Sequence, residues 1–399
     1  MKHLKIFERS ILAGFLLLVL TLSFAQIAFY DPMTISHSFT IADQEGLPAR
    51  GNPGMVYDNE SDLIVIFGGW NNTAGSPWNT TYTYDYNSDT YTLIDPATSP
   101  LWRAEPGMAY DPGRDQVILF GGEDSLDTPN PLNDTWLYDD GVWTQLSPST
   151  APSYRRGHSM SFDIESDRII IFGGEPDMKN DTWAGNPSAD TFVEMNPAIA
   201  PEGRTSAAMA YDSESDRIIL FGGFKGGSDV LASNYFGDTW AYDYNTDTWE
   251  NLTTTGSPSV RGAASMAYDS ESDRIVLFGG SMSSTSYDDT WLFDYNTLTW
   301  TEMNPTTSPT GRSRHGSAYD EESDRVVVYG GTSNGFNGRA LVTEGKTWAY
   351  DANSNTWEEM IGPTTTPTPP PDGGWILIYL AVGGIGVVLI LIVIFVRRR

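Results

Sequence analysis

One short pattern, a β-branched apolar run closed by two glycines, occurs six times in the chain and restricts its possible folds more than any other feature. The copies are "IVIFGG", "VILFGG", "IIIFGG", "IILFGG", "IVLFGG" and "VVVYGG", ending at Gly69, Gly122, Gly174, Gly223, Gly280 and Gly331. Successive copies lie 53, 52, 49, 57 and 51 residues apart. A period close to 50 residues indicates propeller blades or solenoid units.

The repeating unit is clearest in its fourth copy, Arg204 to Leu252, which predicts four short strands: "RTSAAMAYD", "RIILF", "DTWAYDY" and "TWENL". In "RIILF", Ile218 and Leu220 alternate with Ile219 and Phe221, so both faces of this strand are apolar and both must be covered. Neighbouring sheets stacked face to face provide that cover, and closing the stack into a ring leaves no end sheet exposed.

A pair of aromatic residues near the end of each unit completes the pattern. The pairs are Tyr84 with Tyr91, Tyr138 with Trp143, Tyr242 with Trp249, Phe293 with Trp300, and Tyr350 with Trp357. With the double glycine, these pairs resemble the kelch family, and the resemblance implies an all-β fold, a six-bladed β-propeller over residues 50–361. The third copy has Gly185 and Phe192 at the paired positions, so we expect an irregular third strand there.

The two ends of the chain predict export and anchoring. Residues 1–25 combine Lys2, Lys5 and Arg9 with an apolar run and small residues at a cleavage position, as in a signal peptide. Residues 375–396 are uniformly apolar, long enough for a transmembrane helix, and the cytoplasmic tail would be 397–399, three arginines. Residues 362–374, rich in proline and threonine, form a stalk. An uncleaved N-terminal anchor is the alternative for 1–25.

Residues 26–49 form a lead-in before the first unit. Ser36–Ala42 aligns with the fourth strands of later copies, so it is a candidate ring-closing strand where the first and last blades meet. An unpaired lead-in is the alternative.

Composition excludes several functions. The chain has 52 acidic and 23 basic residues, a formal charge of −29, which disfavours nucleic acid as a partner. It has no cysteine, and its four histidines show no metal-ligand spacing, so we expect no metal, no cofactor and no cysteine nucleophile. The acidic turn "DSESD" is explained by turn formation more simply than by calcium binding.

Each unit also begins with an arginine, and antiparallel pairing puts these arginines at the end that carries the long connections between second and third strands. The six are Arg50, Arg103, Arg156, Arg204, Arg261 and Arg312. A ring of guanidinium groups is suited to carboxylate or sulfate ligands. The alternative is a scaffold role, each arginine pairing with an aspartate of the neighbouring copy's "DTW" segment.

The connections between second and third strands vary most among the copies. Aromatic residues on or beside them are candidate partner-binding residues, because binding residues concentrate on loops held by a rigid scaffold. They are Trp70, Trp78, Trp102, Tyr235, Phe236 and Phe336. Packing of the loops on themselves is the alternative.

These features favour a single-pass protein of the cell membrane, with its propeller outside, that binds a protein or glycan partner and performs no catalysis. A carbohydrate-active ectoenzyme, of the epimerase or lyase type, and a structural protein of the cell envelope are the alternatives. A carboxylate of raised pKa near the central axis would favour the enzyme.

Overall fold

The computed structural model describes residues 47–70, 78–124, 130–187, 190–226, 231–333 and 342–362. Its main elements are six antiparallel sheets of four strands, each built from one continuous stretch of chain. The four strands of each blade follow one another outward in sequence order. This arrangement confirms the six-bladed propeller.

The strand bounds are as follows. Blade 1 comprises Gly54–Asp58, Leu63–Phe67, Thr81–Asp85 and Thr90–Ile94, and blade 2 comprises Gly107–Asp111, Gln116–Phe120, Thr135–Asp139 and Val142–Gln145. Blade 3 comprises Ser159–Asp163, Arg168–Phe172, Thr182–Asn186 and Thr191–Met195, and blade 4 comprises Ala208–Asp212, Arg217–Phe221, Thr239–Asp243 and Thr248–Leu252. Blade 5 comprises Ser265–Asp269, Arg274–Phe278, Thr290–Asp294 and Thr299–Met303, and blade 6 comprises Gly316–Asp320, Arg325–Tyr329, Thr347–Asp351 and Thr356–Met360.

Smaller elements lie in the connections between second and third strands. Two-residue ribbons pair Ser281–Met282 with Thr285–Ser286 and Thr332–Ser333 with Val342–Thr343, and a 3₁₀ turn covers Ala232–Asn234. Within the described ranges, no helix is both long enough and apolar enough to cross a membrane.

Several predicted segments lie outside the described residues. They are the signal peptide 1–25, the candidate strand Ser36–Ala42, the transmembrane helix 375–396 and the tail 397–399. Nearly all of the stalk, 362–374, also lies outside them.

The core lies between blades, as the doubly apolar second strands require. Ile219 and Phe221 of blade 4 pack with Ile275 and Leu277 of blade 5, whereas Ile218 and Leu220 face Ile170 and Phe172 of blade 3. The same alternation recurs at every junction, including the one where blade 1 meets blade 6. The first strands contact their neighbours around the central axis, so the ring is closed.

Blade 3 differs from expectation. Its third strand, Thr182–Asn186, is regular and keeps the register of the other blades, with Gly185 opposite Phe192. The Phe192 ring lies where a side chain on residue 185 would be, 2.5 Å from the ideal Cβ position. Phe192 therefore fills the space that a tyrosine or phenylalanine of the third strand fills in the other blades, and the prediction of an irregular strand is wrong.

Candidate functional site

The connections between second and third strands and the segments that enter the first strands meet at one end of the propeller, which we call the loop-bearing face. Backbone bridges join the two segments in every blade, for example Gly51 to Trp70 and Thr205 to Phe224. The turn face, at the opposite end, carries the "SESD" type turns. There Asp212 accepts a hydrogen bond from the Ser215 amide and Tyr211 donates to Asp216, so the acidic residues serve the turn.

Six backbone hydrogen bonds form a closed circle around the axis at the loop-bearing face, which we call the axial ring. Each amide donates to the carbonyl of the preceding blade at 2.6–3.4 Å. Every member has a positive φ, between 52° and 61°. The members are Asn52, Glu105, Gly157, Ser206, Ala263 and Arg314. Because these residues share one backbone conformation, their differing side chains determine the chemistry at the axis.

Buried arginines hold the face to the blades. Arg103, Arg155, Arg204 and Arg261 are at most 1% exposed, and each donates to the carbonyl of the first glycine in its own blade's glycine pair. Each also makes a two-pronged ion pair with an aspartate of its own "DTW" segment, as Arg204 does with Asp238 at 2.6 and 2.9 Å. The pairing is within a repeat, so the expectation of a partner in the neighbouring copy is wrong.

The arginine ring also needs correction at two points. The third repeat's member is Arg155, because Arg155 lies 18 residues before its glycine, as the other five do, and Arg156 lies outside the set. Arg50 and Arg312 are also fully buried. The ring is therefore interior, and these guanidinium groups do not form an exposed ligand surface in this structure.

Arg156 instead lies at the axis, at the centre of what we call the Glu-Arg cluster: Glu105, Glu123, Arg156 and Glu175. Its guanidinium donates to Glu123 at 2.7 Å and to Glu175 at 2.6 Å, and lies 4.0 Å from Glu105. Glu105 accepts a further hydrogen bond from Asn52 of blade 1 at 2.9 Å. One arginine therefore connects carboxylates of blades 2 and 3.

The Glu-Arg cluster contains a buried carboxylate, Glu123, and two groups with shifted pKa values. Glu123 is 4% exposed, and its Oε2 has no hydrogen-bond partner. Burial and the neighbouring Glu105 raise the pKa of Glu123 to about 7, although Arg156 acts in the opposite direction. Burial alone would lower the pKa of Arg156, but the three carboxylates raise it. With all groups ionised, three carboxylates face one guanidinium, so the cluster is net negative.

The cluster is specific to blades 2 and 3. Its members occupy positions that repeat in every blade: Glu123 and Glu175 follow the double glycine, where other blades have Trp70, Phe224, Ser281 or Thr332. Arg156 pairs with Glu175 where other blades have glycine, alanine, serine or threonine. Sequence reasoning assigned Arg156, rather than Arg155, to the ring of repeated arginines, and it therefore missed the cluster around Arg156.

The predicted aromatic residues have different surroundings. Trp70 is buried, 6% exposed, whereas Trp102 is 40% exposed. Trp78 is half-buried, with the Arg50 guanidinium 5.3 Å from its ring centre. Tyr235 and Phe236 are half-buried, Tyr235 against Phe224 and Phe236 over Arg204 at 3.8 Å. Phe336 lies outside the described residues.

Sequence reasoning missed two further exposed apolar side chains near the buried arginines of blades 2 and 3, Leu101 and Tyr154. Leu101 is 55% exposed, and Tyr154, which precedes Arg155 as Trp102 precedes Arg103, is 52% exposed. The backbone amides of Arg103 and Arg155 bond to carbonyls of the loop-bearing face, which puts these side chains there. Leu101, Trp102 and Tyr154 thus belong to blades 2 and 3, the blades of the Glu-Arg cluster.

No group of three or more His, Asp or Glu side chains in the described parts of the chain has a geometry suited to a metal ion. His158 and His315 pack edge-on against Phe120 and Phe278, 5.4 and 5.3 Å between ring centres. Burial lowers the pKa of both to about 3. These histidines are packing residues between blades.

Comparison with known proteins agrees with this architecture. The chain is similar to Mei4-dependent protein 6 of Schizosaccharomyces pombe, 29% identical over 137 residues, which is 31% of this chain and 19% of that protein. It is also similar to Adagio-like protein 1 of Oryza sativa subsp. japonica, 30% identical over 126 residues, 28% of this chain and 18% of that protein. The match thus spans about a fifth of the length of either relative.

A family model covers far more of the chain. Residues 26–198 and 167–381 match the model described as the KLHDC2/KLHL20/DRC7 Kelch-repeats domain. Six four-stranded blades, the double glycines and the aromatic pairs are the structural counterpart of this match. The chain therefore belongs to the kelch-repeat family.

Proposed function

We propose that this protein is a binding protein whose loop-bearing face recognises a partner protein at blades 2 and 3. A kelch propeller is suited to serve as a protein-binding scaffold. One observation indicates which part of the loop-bearing face binds the partner. In the described chain, a charged residue follows the double glycine, and an exposed aromatic residue precedes the buried arginine, only in blades 2 and 3. Scaffold residues recur in every blade, so residues that break the repeat are candidates for function.

The chemistry of this region favours a partner with a basic and an apolar element. Glu105 and Glu175 are partly exposed, 16% and 24%. Trp102 and Tyr154 are exposed aromatic residues of the same two blades. Aromatic anchors and complementary charge are the main sources of affinity and specificity at protein interfaces.

Binding by purified full-length protein to arrayed extracellular proteins and to glycans tests this proposal. Trp102→Ala should weaken a detected protein interaction about tenfold or more, and Glu175→Lys should do so in a salt-dependent manner. Glu214→Lys is the matched control, since it makes the same charge change at an exposed site on the turn face. Equal effects of Glu175→Lys and Glu214→Lys would contradict recognition at this face. Selective glycan binding would instead identify a glycan as the partner.

We also propose where the protein is located. Residues 1–25 direct export, residues 375–396 form a membrane helix, and the propeller lies outside the cell. Support comes from the sequence alone: 22 uncharged apolar residues followed by three arginines. Labelling intact cells with an impermeant amine reagent tests it. The propeller lysines should react without permeabilisation, and labelling seen only after permeabilisation would contradict the proposal.

One observation favours the second candidate, a carbohydrate-active ectoenzyme. Glu123 has a pKa of about 7 and lies near the axis, which are properties of a general acid or base. Glu123→Gln should then abolish turnover of an acidic polysaccharide with little change in the unfolding temperature. Unchanged turnover in Glu123→Gln would exclude Glu123 as the catalytic group.

A further inference from the structure

The buried arginines of the six blades do not all have the same partners. In blades 2 to 5 the aspartate of the "DTW" segment binds the guanidinium through both oxygens, with distances of 2.6–2.9 Å. One of those oxygens also accepts from the indole nitrogen two residues later, as Asp238 does from Trp240 at 2.7 Å. The carboxylate is thus held between an arginine and a tryptophan in four successive blades.

Blade 1 lacks this carboxylate. Thr80 occupies the aspartate position, and its hydroxyl accepts one hydrogen bond from Nη1 of Arg50 at 3.3 Å. The same Nη1 donates to the Gly68 carbonyl at 2.8 Å, as in the other blades. Nη2, which binds aspartate in blades 2 to 5, has no hydrogen-bond partner in blade 1, although Arg50 is fully buried.

A second donor beside Arg50 is also unpartnered. Trp78 lies with its ring centre 5.3 Å from the guanidinium carbon, and its indole nitrogen is buried without an acceptor. The Tyr329 hydroxyl donates to the Pro48 carbonyl at 2.7 Å, and its oxygen is a neutral acceptor within reach of Arg50 that supplies no negative charge. Two buried donors, Nη2 of Arg50 and Nε1 of Trp78, therefore lack an acceptor in blade 1.

Among the described residues, none supplies a counter-charge to Arg50. No aspartate or glutamate among the described residues forms an ion pair with it, and residues 71–77 contain neither residue type. Blade 6 has Lys346 at the aspartate position, but there Glu344 and Glu359 supply negative charge to Arg312. A buried charge without a partner costs several kcal/mol, so blade 1 carries a cost that blades 2 to 6 avoid.

We propose that blade 1 binds a carboxylate group from outside the chain, held by Arg50 in the position that an aspartate side chain occupies in blades 2 to 5. The planar guanidinium is matched to a carboxylate, and in blade 1 Tyr82 occupies the position of the tryptophan donor, so the nearby unpartnered indole N–H is that of Trp78. At this position the aspartate side chains of blades 2 to 5 are 20–26% exposed and Thr80 of blade 1 is half-buried, so the site lies close to the surface. The site is independent of recognition at blades 2 and 3.

The test measures the unfolding temperature of the full chain in acetate and in chloride at equal ionic strength. For the wild type, acetate should raise the unfolding temperature saturably, by about 2–6 °C. Thr80→Asp supplies the missing carboxylate, so it should raise the unfolding temperature in chloride and abolish the acetate effect. A capped tripeptide, acetyl-Gly-Glu-Gly-amide, provides a second measurement. If it raises the unfolding temperature more than acetate does, the occupant is a protein side chain. If it raises the unfolding temperature less, the occupant is a free small carboxylate.

Asp238→Thr is the matched control, since it gives blade 4 the same threonine as blade 1. This variant should unfold at a lower temperature than the wild type and show a larger acetate response. The proposal is overturned if acetate raises the unfolding temperature of Asp238→Thr but not that of the wild type. It is also overturned if Thr80→Asp shows the same acetate effect as the wild type. Saturation-transfer NMR from the wild-type protein to the acetate methyl group tests the proposal without any variant. If no transfer is detected, the proposal is overturned.

Discussion

Single hydrogen bonds between a tryptophan of one blade and a threonine of the preceding blade recur around the ring. Trp143, Trp249, Trp300 and Trp357 donate to Thr81, Thr182, Thr239 and Thr290 at 2.8–3.0 Å. At the junction of blades 1 and 6, the hydroxyls of Tyr91 and Thr347 make the equivalent contact. Between blades 2 and 3, Phe192 replaces tryptophan, and the Thr135 hydroxyl is buried without a partner.

This difference predicts opposite results for the same substitution at two threonines, each 1% exposed. Thr239→Val should destabilise the protein by about 1–2 kcal/mol, because the Trp300 indole N–H loses its acceptor. Thr135→Val should be neutral or stabilising by up to about 1 kcal/mol, because it removes an unsatisfied hydroxyl. Urea unfolding of both variants checks this, and equal losses would contradict the asymmetry.

Two buried histidines predict a dependence of stability on pH. His158 and His315 have pKa values lowered to about 3, chiefly by burial, against about 6.5 in the unfolded chain. Their contribution to the free energy of unfolding is therefore fully present above a pH of about 6.5, and it is lost as the pH falls toward 3. At pH 5 the loss is about 2 kcal/mol for each histidine.

Comparison of the wild type with His315→Leu isolates one histidine. Glu123, whose pKa is raised, contributes with the opposite sign, but that contribution cancels in the difference between the two proteins. Urea midpoints measured from pH 7.5 to 5 should fall less steeply for His315→Leu. Identical slopes would show that His315 is not buried in its neutral form.

At the scale of the elements, the double glycine is the bend on which each blade depends. Both glycines have positive φ in every copy, 70° and 106° for Gly222 and Gly223. A Cβ on Gly222 would lie 2.5 Å from the backbone oxygen of Arg261 in the next blade. The pair therefore ends the second strand and lets the neighbouring blade's arginine segment approach.

Gly222→Ala should accordingly destabilise the protein by about 2–4 kcal/mol, because both the backbone conformation and the contact with Arg261 oppose a side chain. Gly113→Ala, at an exposed turn where the nearest atom to the added Cβ is 3.4 Å away, is the control and should change stability by about 0.5 kcal/mol or less. Chemical denaturation of the two variants provides the measurement. Equal stability of both would contradict this role of the bend.

For the whole molecule, stability depends on closing the ring. The junction of blades 6 and 1 contains Ile64 and Ile66 packed with Val327 and Tyr329, and Tyr329 also donates to the Pro48 carbonyl. Gly331 and Arg50 add a backbone hydrogen bond of 2.9 Å. An open ring would expose one apolar face at each end.

A chain ended after Arg312 should therefore lose cooperative unfolding and bind a hydrophobic dye, since blades 1 and 5 would each expose a buried face. A chain ended after Gly362 keeps all six blades and is the control, expected to unfold in one transition. Calorimetry and dye fluorescence distinguish the two outcomes. Cooperative unfolding of the five-blade chain would show that closure is not required.

The amino-acid sequence by itself determined the number of blades, the doubly buried second strands and the cross-strand aromatic pairs, because these follow from local periodicity that recurs six times. Tertiary structure alone decided which arginine of the pair 155 and 156 is buried, that Arg50 has no acidic partner among the described residues, and that Glu105, Glu123 and Glu175 surround Arg156. Those contacts join residues of different blades, and their energies depend on burial and distance, which no local pattern encodes.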